Sequence, residues 1–223
     1  MIRSAAGPGR ANIHVRYAAR RATVGTVETD RGLAAGVIPQ AVVLVEGASD
    51  RLALEVLARR RGRNLPAGGV HILAMNGATN IGHYLDRYGP SGLDVEIAGL
   101  YDIAEERHIR RGLARVGLFP ETSAIEGDLE AHGFFVCSAD LEDELIRAVG
   151  AEQVLDIVEA AGEITSFHRL QRQPALRDRG LHHQLRRLMG GRSGGKQRYA
   201  RLMAEAVDLD HVPAPLAAVL DYI

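Results

Sequence analysis

The sequence predicts an α/β fold in which a mostly parallel β-sheet carries helices on both faces, followed by a helical C-terminal extension. Three observations predict it: short apolar segments alternate with longer amphipathic ones, acidic residues directly follow the apolar segments, and an arginine-rich segment comes after them. Strand–helix alternation favours a parallel sheet with helices packed on its faces. A chain of 223 residues that is 46% hydrophobic and 25% charged has the composition of an ordinary soluble domain.

Four short apolar segments are the predicted strands, at 41–45, 70–74, 95–101 and 133–137. The first is apolar throughout and rich in β-branched residues, which is typical of a strand buried on both faces. Parallel sheets of this kind bind their ligands at the carboxyl ends of the strands. That edge is therefore where we expect the functional site.

A helix is predicted after each strand. Gly47 ends the first strand, and Ser49 or Asp50 is placed to cap a helix whose apolar stripe includes Leu52 and Val56. Gly89 and Pro90 end the second helix. The later helices are predicted at 81–88, 103–116 and 142–149.

Charge divides the chain unevenly. We expect a partly mobile N-terminal arm at 1–40, a core at 41–150 and a basic helical extension at 151–223. Residues 41–165 contain 21 acidic and 11 basic residues, whereas residues 166–201 contain ten basic residues and one acidic residue. This asymmetry suits a protein that binds cations at one place and phosphates beside it. A solvated arginine-rich helical face is the plainer alternative.

Acidic residues follow three of the four predicted strands. Glu46 follows the first strand with Asp50 one turn later, Asp102 follows the third, and Asp140 and Glu142 follow the fourth. Carboxylates gathered at one edge repel each other unless a cation neutralises them. Oxygen ligands favour Mg²⁺ or Mn²⁺ over zinc. Taken singly, Asp50 and Asp140 could serve only as helix caps.

Several classes of protein are excluded by composition. One cysteine, Cys137, permits neither an internal disulfide nor a cysteine-rich zinc cluster. No apolar segment reaches about 18 residues and the N-terminus lacks an apolar signal core, so we expect no membrane span and a cytoplasmic location. Aromatic residues make up 4% and tryptophan is absent, so nucleic acid would be recognised by its backbone charge rather than by base stacking.

Short motifs in this chain resemble those of a known family. The segment Val45-Glu46-Gly47-Ala48-Ser49-Asp50 resembles the first motif of TOPRIM domains, and Gly99-Leu100-Tyr101-Asp102-Ile103-Ala104 resembles the second. The spacing of Glu46 and Asp50 is closest to that of the OLD (overcoming lysogenisation defect) nucleases. Asp140-Leu141-Glu142-Asp143-Glu144-Leu145 resembles their third acidic element, and Gly195-Lys196 resembles the start of their C-terminal lysine helix.

The resemblance implies a TOPRIM (Rossmann-like) fold and a Mg²⁺- or Mn²⁺-dependent endonuclease, with DNA rather than RNA as the expected substrate. It implies that Glu46, Asp102 and Lys196 are catalytic, with the lysine facing the scissile phosphate. Lys196 is also the only lysine in the chain. The implied metal ligands or water-mediated partners are Glu46, Asp50, Asp102 and Glu142.

The basic extension supplies the predicted nucleic-acid contacts. They are Arg186, Arg187, Arg192, Lys196 and Arg198. His182 and His183 lie in the same segment and could contact phosphate, although adjacent histidines on an exposed helix are more often simply solvated. No histidine or cysteine pairs stand at zinc-ligand spacing.

Two departures from the family pattern leave alternatives open. Ala104 stands where the second acid of the Asp-x-Asp motif is expected, so one metal position loses a ligand unless Glu105 or Glu106 replaces it. No Gly-x-x-x-x-Gly-Lys-(Ser/Thr) loop is present, so a required ATPase would be a partner chain. The alternatives are a non-catalytic TOPRIM module that binds nucleic acid or a partner, and an α/β enzyme acting on a small phosphorylated substrate.

Overall fold

Four parallel strands form the centre of the fold. A computed structural model describes residues 38–119, 128–191 and 193–223, so most of the predicted N-terminal arm lies outside the described residues. The strands are β1 (Ala41–Val45), β2 (Val70–Ala74), β3 (Glu96–Asp102) and β4 (Phe134–Cys137). They are ordered β2-β1-β3-β4, and every adjacent pair is parallel. The predicted α/β fold with a parallel sheet is confirmed.

Nine α-helices are assigned within the described residues. Four belong to the alternating part of the chain: α1 (Ala48–Arg60), α2 (Ile81–Tyr88), α3 (Glu106–Arg115) and α4 (Leu141–Val149). The C-terminal extension contributes α5 (Ala151–Ala160), α6 (Ile164–Gln171), α7 (Leu181–Gly190), α8 (Gly195–Ala206) and α9 (Ala214–Tyr222). Among all the residues that the structure describes, no helix is both long and apolar enough to cross a bilayer.

Helices cover both faces of the sheet because side chains of a strand alternate in direction. On one face, Val43 and Val45 of β1 belong to a hydrophobic core shared with residues of α1, α4, α8 and α9. Val42 and Leu44 point the other way and are also buried. Helix α2 contacts β1 and helix α3 contacts β3 on that second side. A strand buried on both faces explains why the β1 sequence is continuously apolar.

The C-terminal extension is bound tightly to the first helix. Arg60 at the end of α1 donates to the carbonyl oxygens of Ala204 at 2.8 Å and Val207 at 2.7 Å. Arg63 donates to the carbonyl oxygen of Ile223 at 2.8 Å. Helix α8 packs along α1, which brings Lys196, the second residue of α8, to the carboxyl edge of the sheet. The boundary at residue 150 between core and extension stays a prediction.

The structure corrects two local details. Strand β3 runs one residue further than expected, because Asp102 is still paired with Cys137 of β4. Residues Ile103–Glu105 then form a 3₁₀ turn before α3 begins. The cap of α1 is neither Ser49 nor Asp50: Gly47 is the N-cap, and Asp50 lies three residues into the helix.

Gly99 permits the close contact between β3 and its neighbours. A Cβ atom there would lie 2.5 Å from the Phe134 ring and 3.2 Å from the Leu44 carbonyl oxygen, and neither group has space to move. We expect Gly99→Ala to lower the free energy of unfolding by about 3 kcal/mol, because overpacked cores must shift. Urea denaturation measures it. Gly68→Ala is the control, since a Cβ there meets nothing within 4 Å; equal effects of the two substitutions would contradict the packing argument.

Candidate functional site

A cleft of about 320 Å³ opens at the carboxyl edge of the sheet. Its lining includes all four predicted metal ligands, Glu46, Asp50, Asp102 and Glu142, and also Lys196. The remaining lining residues are Gly47, Ser49, Asn76, Gly77 and Leu141. Side chains that are up to 150 positions apart along the chain (Glu46 to Lys196) therefore share one small volume.

The β1–α1 turn holds Asp50 in a fixed position. Its Oδ2 accepts a hydrogen bond from the Gly47 backbone N–H at 3.0 Å and another from the Ser49 hydroxyl at 3.4 Å. A carboxylate near the first turn of a helix is also favoured by the helix dipole. Asp50 therefore orders the turn that follows Glu46, in addition to lining the cleft.

Three of the four acids at the start of α4 are satisfied by other protein groups. Asp140 is the N-cap, accepting from the Asp143 backbone N–H at 2.8 Å, and it also forms an ion pair with Arg186. Asp143 is bonded to Arg147 and His182, both at 2.8 Å.

Glu144 is satisfied in the same way. It accepts from the Ser138 backbone N–H at 2.8 Å and hydroxyl at 2.7 Å, and it pairs with Arg147 at 2.8 Å. Its carboxylate is thus committed to the β4–α4 turn. Of the acids in this element, only Glu142 lines the cleft.

Glu142 is a buried acid of the site with one carboxylate oxygen left without a partner. Its side chain is 5% exposed, and its Oε2 accepts from the Lys196 ammonium at 3.1 Å. Its Oε1 is buried and is the one buried side-chain polar atom of the described residues that has no hydrogen-bond partner. An orphaned carboxylate oxygen in a closed environment costs free energy unless another group, such as a cation, meets it.

The carboxylates of the cleft raise one another's pKa. Burial and the nearby charges of Glu46 and Asp50 raise the pKa of Asp102 to about 7. Burial, together with Glu142 and Glu46, raises the pKa of Asp50 to about 6, against two backbone hydrogen bonds that lower it. Burial and the charge of Glu105 raise the pKa of Glu46. The site thus concentrates negative charge that the protein itself does not neutralise.

Lys196 is the cation that the protein places against this charge. Partial burial by itself lowers its pKa, but Glu142, Asp140 and Asp102 outweigh that effect and raise the pKa above its ordinary value. The ammonium therefore stays protonated at neutral pH. It neutralises part of the carboxylate charge and leaves the rest uncompensated.

The donor set of the cleft fits a hard divalent cation. Within the described residues, no three acidic, histidine or cysteine side chains are grouped closely enough to enclose an ion as they stand. The chemistry nevertheless fits, because the cleft offers carboxylate oxygens, one of which, on Glu142, has no hydrogen-bond partner. A bound cation would also offset the burial and the repulsion that raise the pKa of Asp102. Such oxygen ligands suit Mg²⁺ and Mn²⁺.

Glu105 is better placed than Glu106 to stand in for the acid missing at Ala104. Glu106 forms an ion pair with Arg110 at 2.6 Å, one turn along α3. Glu105 ends the 3₁₀ turn after β3, and its charge is the largest contribution after burial to the raised pKa of Glu46. Although Ala104 replaces the second acid of the motif, the Glu105 carboxylate therefore lies close enough to Glu46 to raise its pKa.

The predicted nucleic-acid contacts divide into three groups. Arg187 is exposed on α7, whereas Arg186 on the same helix is paired with Asp140. Arg198 on α8 forms an ion pair with Glu163 and donates to the Ala161 carbonyl oxygen at 2.8 Å, and both partners lie between α5 and α6. Arg192 lies outside the described residues. His183 is exposed, while His182 bonds Asp143 at 2.8 Å.

Sequence analysis missed the part of the lining that comes from the loop after β2. Asn76 has a positive φ of 56° and Gly77 a φ of 116°. The Gly77 N–H donates to the Glu46 carbonyl oxygen at 3.1 Å, so the loop is joined to the tip of β1. The Asn-Gly pair was visible only as the end of a strand. Because β2 ends at the same edge as β1, that pair was also a signal for the site.

Part of this sequence matches a known family model, and the fold matches solved structures. Residues 39–103 match the family model described as overcoming lysogenization defect protein-like, TOPRIM domain. The C-terminal region of the Burkholderia pseudomallei OLD protein is 23% identical, with a TM-score of 0.63 over 83% of this chain and 97% of that one. The C-terminal region of the Xanthomonas campestris pv. campestris OLD protein is 25% identical, with a TM-score of 0.60 over 83% and 94%. No curated protein sequence matches significantly.

Proposed function

Because the chain contains an OLD-like TOPRIM domain, we propose that its cleft is the active site of a Mg²⁺-dependent nuclease acting on nucleic-acid phosphodiesters, DNA before RNA. The observation that carries the proposal is the convergence of Glu46, Asp102, Glu142 and Lys196 on one cleft, with one Glu142 oxygen left without a partner. A divalent cation would neutralise carboxylates that the protein brings together and leaves only partly neutralised.

Each side chain has a part in this proposal. Glu46, Asp102 and Glu142, with Asp50 beside them, would hold the metal. Bound Mg²⁺ would supply an activated water and charge stabilisation at the leaving oxygen. Glu105 would add the carboxylate that Ala104 lacks.

Lys196 and the basic helix act on the substrate. The Lys196 ammonium would contact a non-bridging phosphate oxygen, where negative charge develops in the transition state. Arg187 on α7 would contact the backbone of the same strand further along. If cleavage requires an ATPase, a partner chain would supply it.

The test is a cleavage assay on plasmid DNA, single-stranded DNA and single-stranded RNA, with Mg²⁺, with Mn²⁺ and with chelator. Metal-dependent products with at least one substrate support the proposal. Salt-sensitive binding without cleavage in either metal would contradict it and favour the non-catalytic module. The cleft is also large enough for a small ligand, so p-nitrophenyl phosphate is included: turnover of that monoester alone would favour an enzyme for small phosphorylated substrates.

We expect Lys196→Ala to lower the cleavage rate at least about 100-fold, as loss of one transition-state charge contact does. Because the ammonium is the partner of the buried Glu142 carboxylate, the free energy of unfolding should also fall, so rates are compared at a temperature at which both proteins are folded. Initial rates at saturating metal measure the effect. Arg201→Ala removes a charge from the exposed face of the same helix, where Arg201 pairs with Glu205 at 3.5 Å, and should cleave normally. Equal rates for Lys196→Ala and the unchanged protein would remove the lysine from the mechanism.

A further inference from the structure

Lys196 and Glu142 form an ion pair that joins the residue proposed to contact phosphate to a residue proposed to bind metal. Glu142 is almost completely buried, and among the described residues the one cation bonded to it is the Lys196 ammonium, 3.1 Å from Oε2. A buried carboxylate needs such a partner. A cation that binds Glu142 through Oε2 must take the place of Lys196, and one that binds the partnerless Oε1 competes with the ammonium for the charge of the same carboxylate.

Lys196 stands where the helix itself disfavours a positive charge. Gly194 is the N-cap of α8, so Lys196 is the second residue of the first turn. The N-terminus of a helix carries a partial positive charge that repels cations. The lysine is therefore held there by the carboxylates of the cleft and not by its own helix, and its pKa is raised by Glu142, Asp140 and Asp102 despite burial.

The Lys196 side chain is also free to move. Its side chain is 56% exposed, whereas that of Glu142 is 5% exposed, so the flexible partner is the one near solvent. Gly194, at a φ of 76°, and Gly195 precede it, and four methylene groups let the ammonium swing while the helix stays in place. Glu142 has no comparable freedom.

We propose that Lys196 is an internal counter-ion of Glu142, which a divalent cation displaces, so that metal binding releases the lysine towards the phosphate. The proposal rests on the proposed function and deepens it. In the metal-free protein Lys196 neutralises Glu142, and this pairing opposes metal binding. Once Glu142 binds a metal, the lysine is without its partner and is available to a non-bridging phosphate oxygen.

Linkage makes the effect reciprocal. A phosphodiester that binds Lys196 removes the competitor from Glu142, so it raises the affinity for metal by the same factor by which metal raises the affinity for phosphodiester. The site thus favours the assembled state, with metal and substrate both present, over either alone.

A double-mutant cycle on Mn²⁺ affinity tests the competition directly. We expect Lys196→Met to bind Mn²⁺ about tenfold more tightly than the unchanged chain, because the competing cation is gone. In the Glu142→Gln background, where there is no ion pair to break, the same substitution should change the affinity less than about twofold. Calorimetry with Mn²⁺ alone measures all four variants, and Arg201→Met is the matched control for loss of a charge from α8.

An equal gain from Lys196→Met in both backgrounds would overturn the proposal, because it would mean that the lysine repels metal from a distance without competing for Glu142. Such a result would leave the proposed nuclease intact. Absence of saturable Mn²⁺ binding in the unchanged chain would overturn the inference and the metal-dependent function together.

The sole lysine of the chain allows a second test without any substitution at Glu142. Protein labelled with ¹³C,¹⁵N-lysine gives side-chain NMR signals from residue 196 alone. Titration with Mg²⁺ should shift the Lys196 Cε signal with the midpoint that calorimetry with Mg²⁺ gives, and narrow it as the side chain becomes free. Saturable Mg²⁺ binding with an unmoved lysine signal would contradict displacement.

Discussion

Glu46→Gln is expected to lower the cleavage rate by at least about 1000-fold, the largest effect of any single substitution in this chain. Glu46 directly follows β1 at the centre of the sheet, and its pKa is raised by burial and by surrounding carboxylates. Glutamine keeps the shape of the side chain but removes the charge that would bind metal. Initial rates with plasmid DNA and Mg²⁺ measure the loss.

The matched control for this prediction is Glu55→Gln. Glu55 lies on the exposed side of α1, with Arg51 at 3.8 Å, and is not part of the cleft lining. Removing an exposed pair of this kind changes stability by less than about 1 kcal/mol and should leave cleavage unchanged. If Glu46→Gln cleaves at a rate similar to Glu55→Gln, the carboxylate at the tip of β1 is not part of the reaction.

Asp102→Asn is expected to stabilise the metal-free protein and to abolish its stabilisation by metal. A pKa raised from 3.8 to about 7 corresponds to roughly 4 kcal/mol of unfavourable charge. Because solvent reaches part of this side chain and screens the repulsion, we expect about half of that gain in the free energy of unfolding at pH 8. Thermal denaturation with and without Mg²⁺ measures both effects.

The sign of the pH dependence follows from the same carboxylate. Below about pH 3 Asp102 is protonated in both the folded and the unfolded state, so the substitution changes little there. As the pH rises from about 4 to about 7, the unfolded state ionises first, and the unchanged protein loses stability that Asp102→Asn retains. A difference between the two that is the same at pH 4 and pH 8, or a metal-induced rise in Tm that survives the substitution, would contradict this account.

Much of the fold was predictable because its signals are local. Apolar β-branched segments such as 41–45 and the glycine at 47 specify strand and turn without reference to distant residues. The carboxyl edge of a parallel sheet then places Glu46 and Asp102 at one end of the molecule. Strand β3 ends one residue later than predicted because pairing of Asp102 with Cys137 is a tertiary effect, and α3 begins three residues later than predicted, at Glu106.

The division of labour among the acids was not predictable in this way. Asp140, Asp143 and Glu142 are close in sequence, yet their partners Arg186, His182 and Lys196 lie 46, 39 and 54 positions away. Which of them is left to bind a metal depends on how α7 and α8 pack on α4, and no local pattern reports that packing. Arg198 pairs with Glu163, 35 positions away, which no local pattern predicts, and its contact with nucleic acid stays a prediction.

The central claim is that the carboxylates of this cleft bind a divalent metal ion, and the most direct measurement is anomalous diffraction from crystals grown with Mn²⁺. We expect a Mn²⁺ peak in contact with Glu46, Asp102 and Glu142, with the Lys196 ammonium moved away from Glu142. A cleft without an anomalous peak at a Mn²⁺ concentration that saturates binding in solution, or a peak bound only elsewhere on the surface, would contradict it.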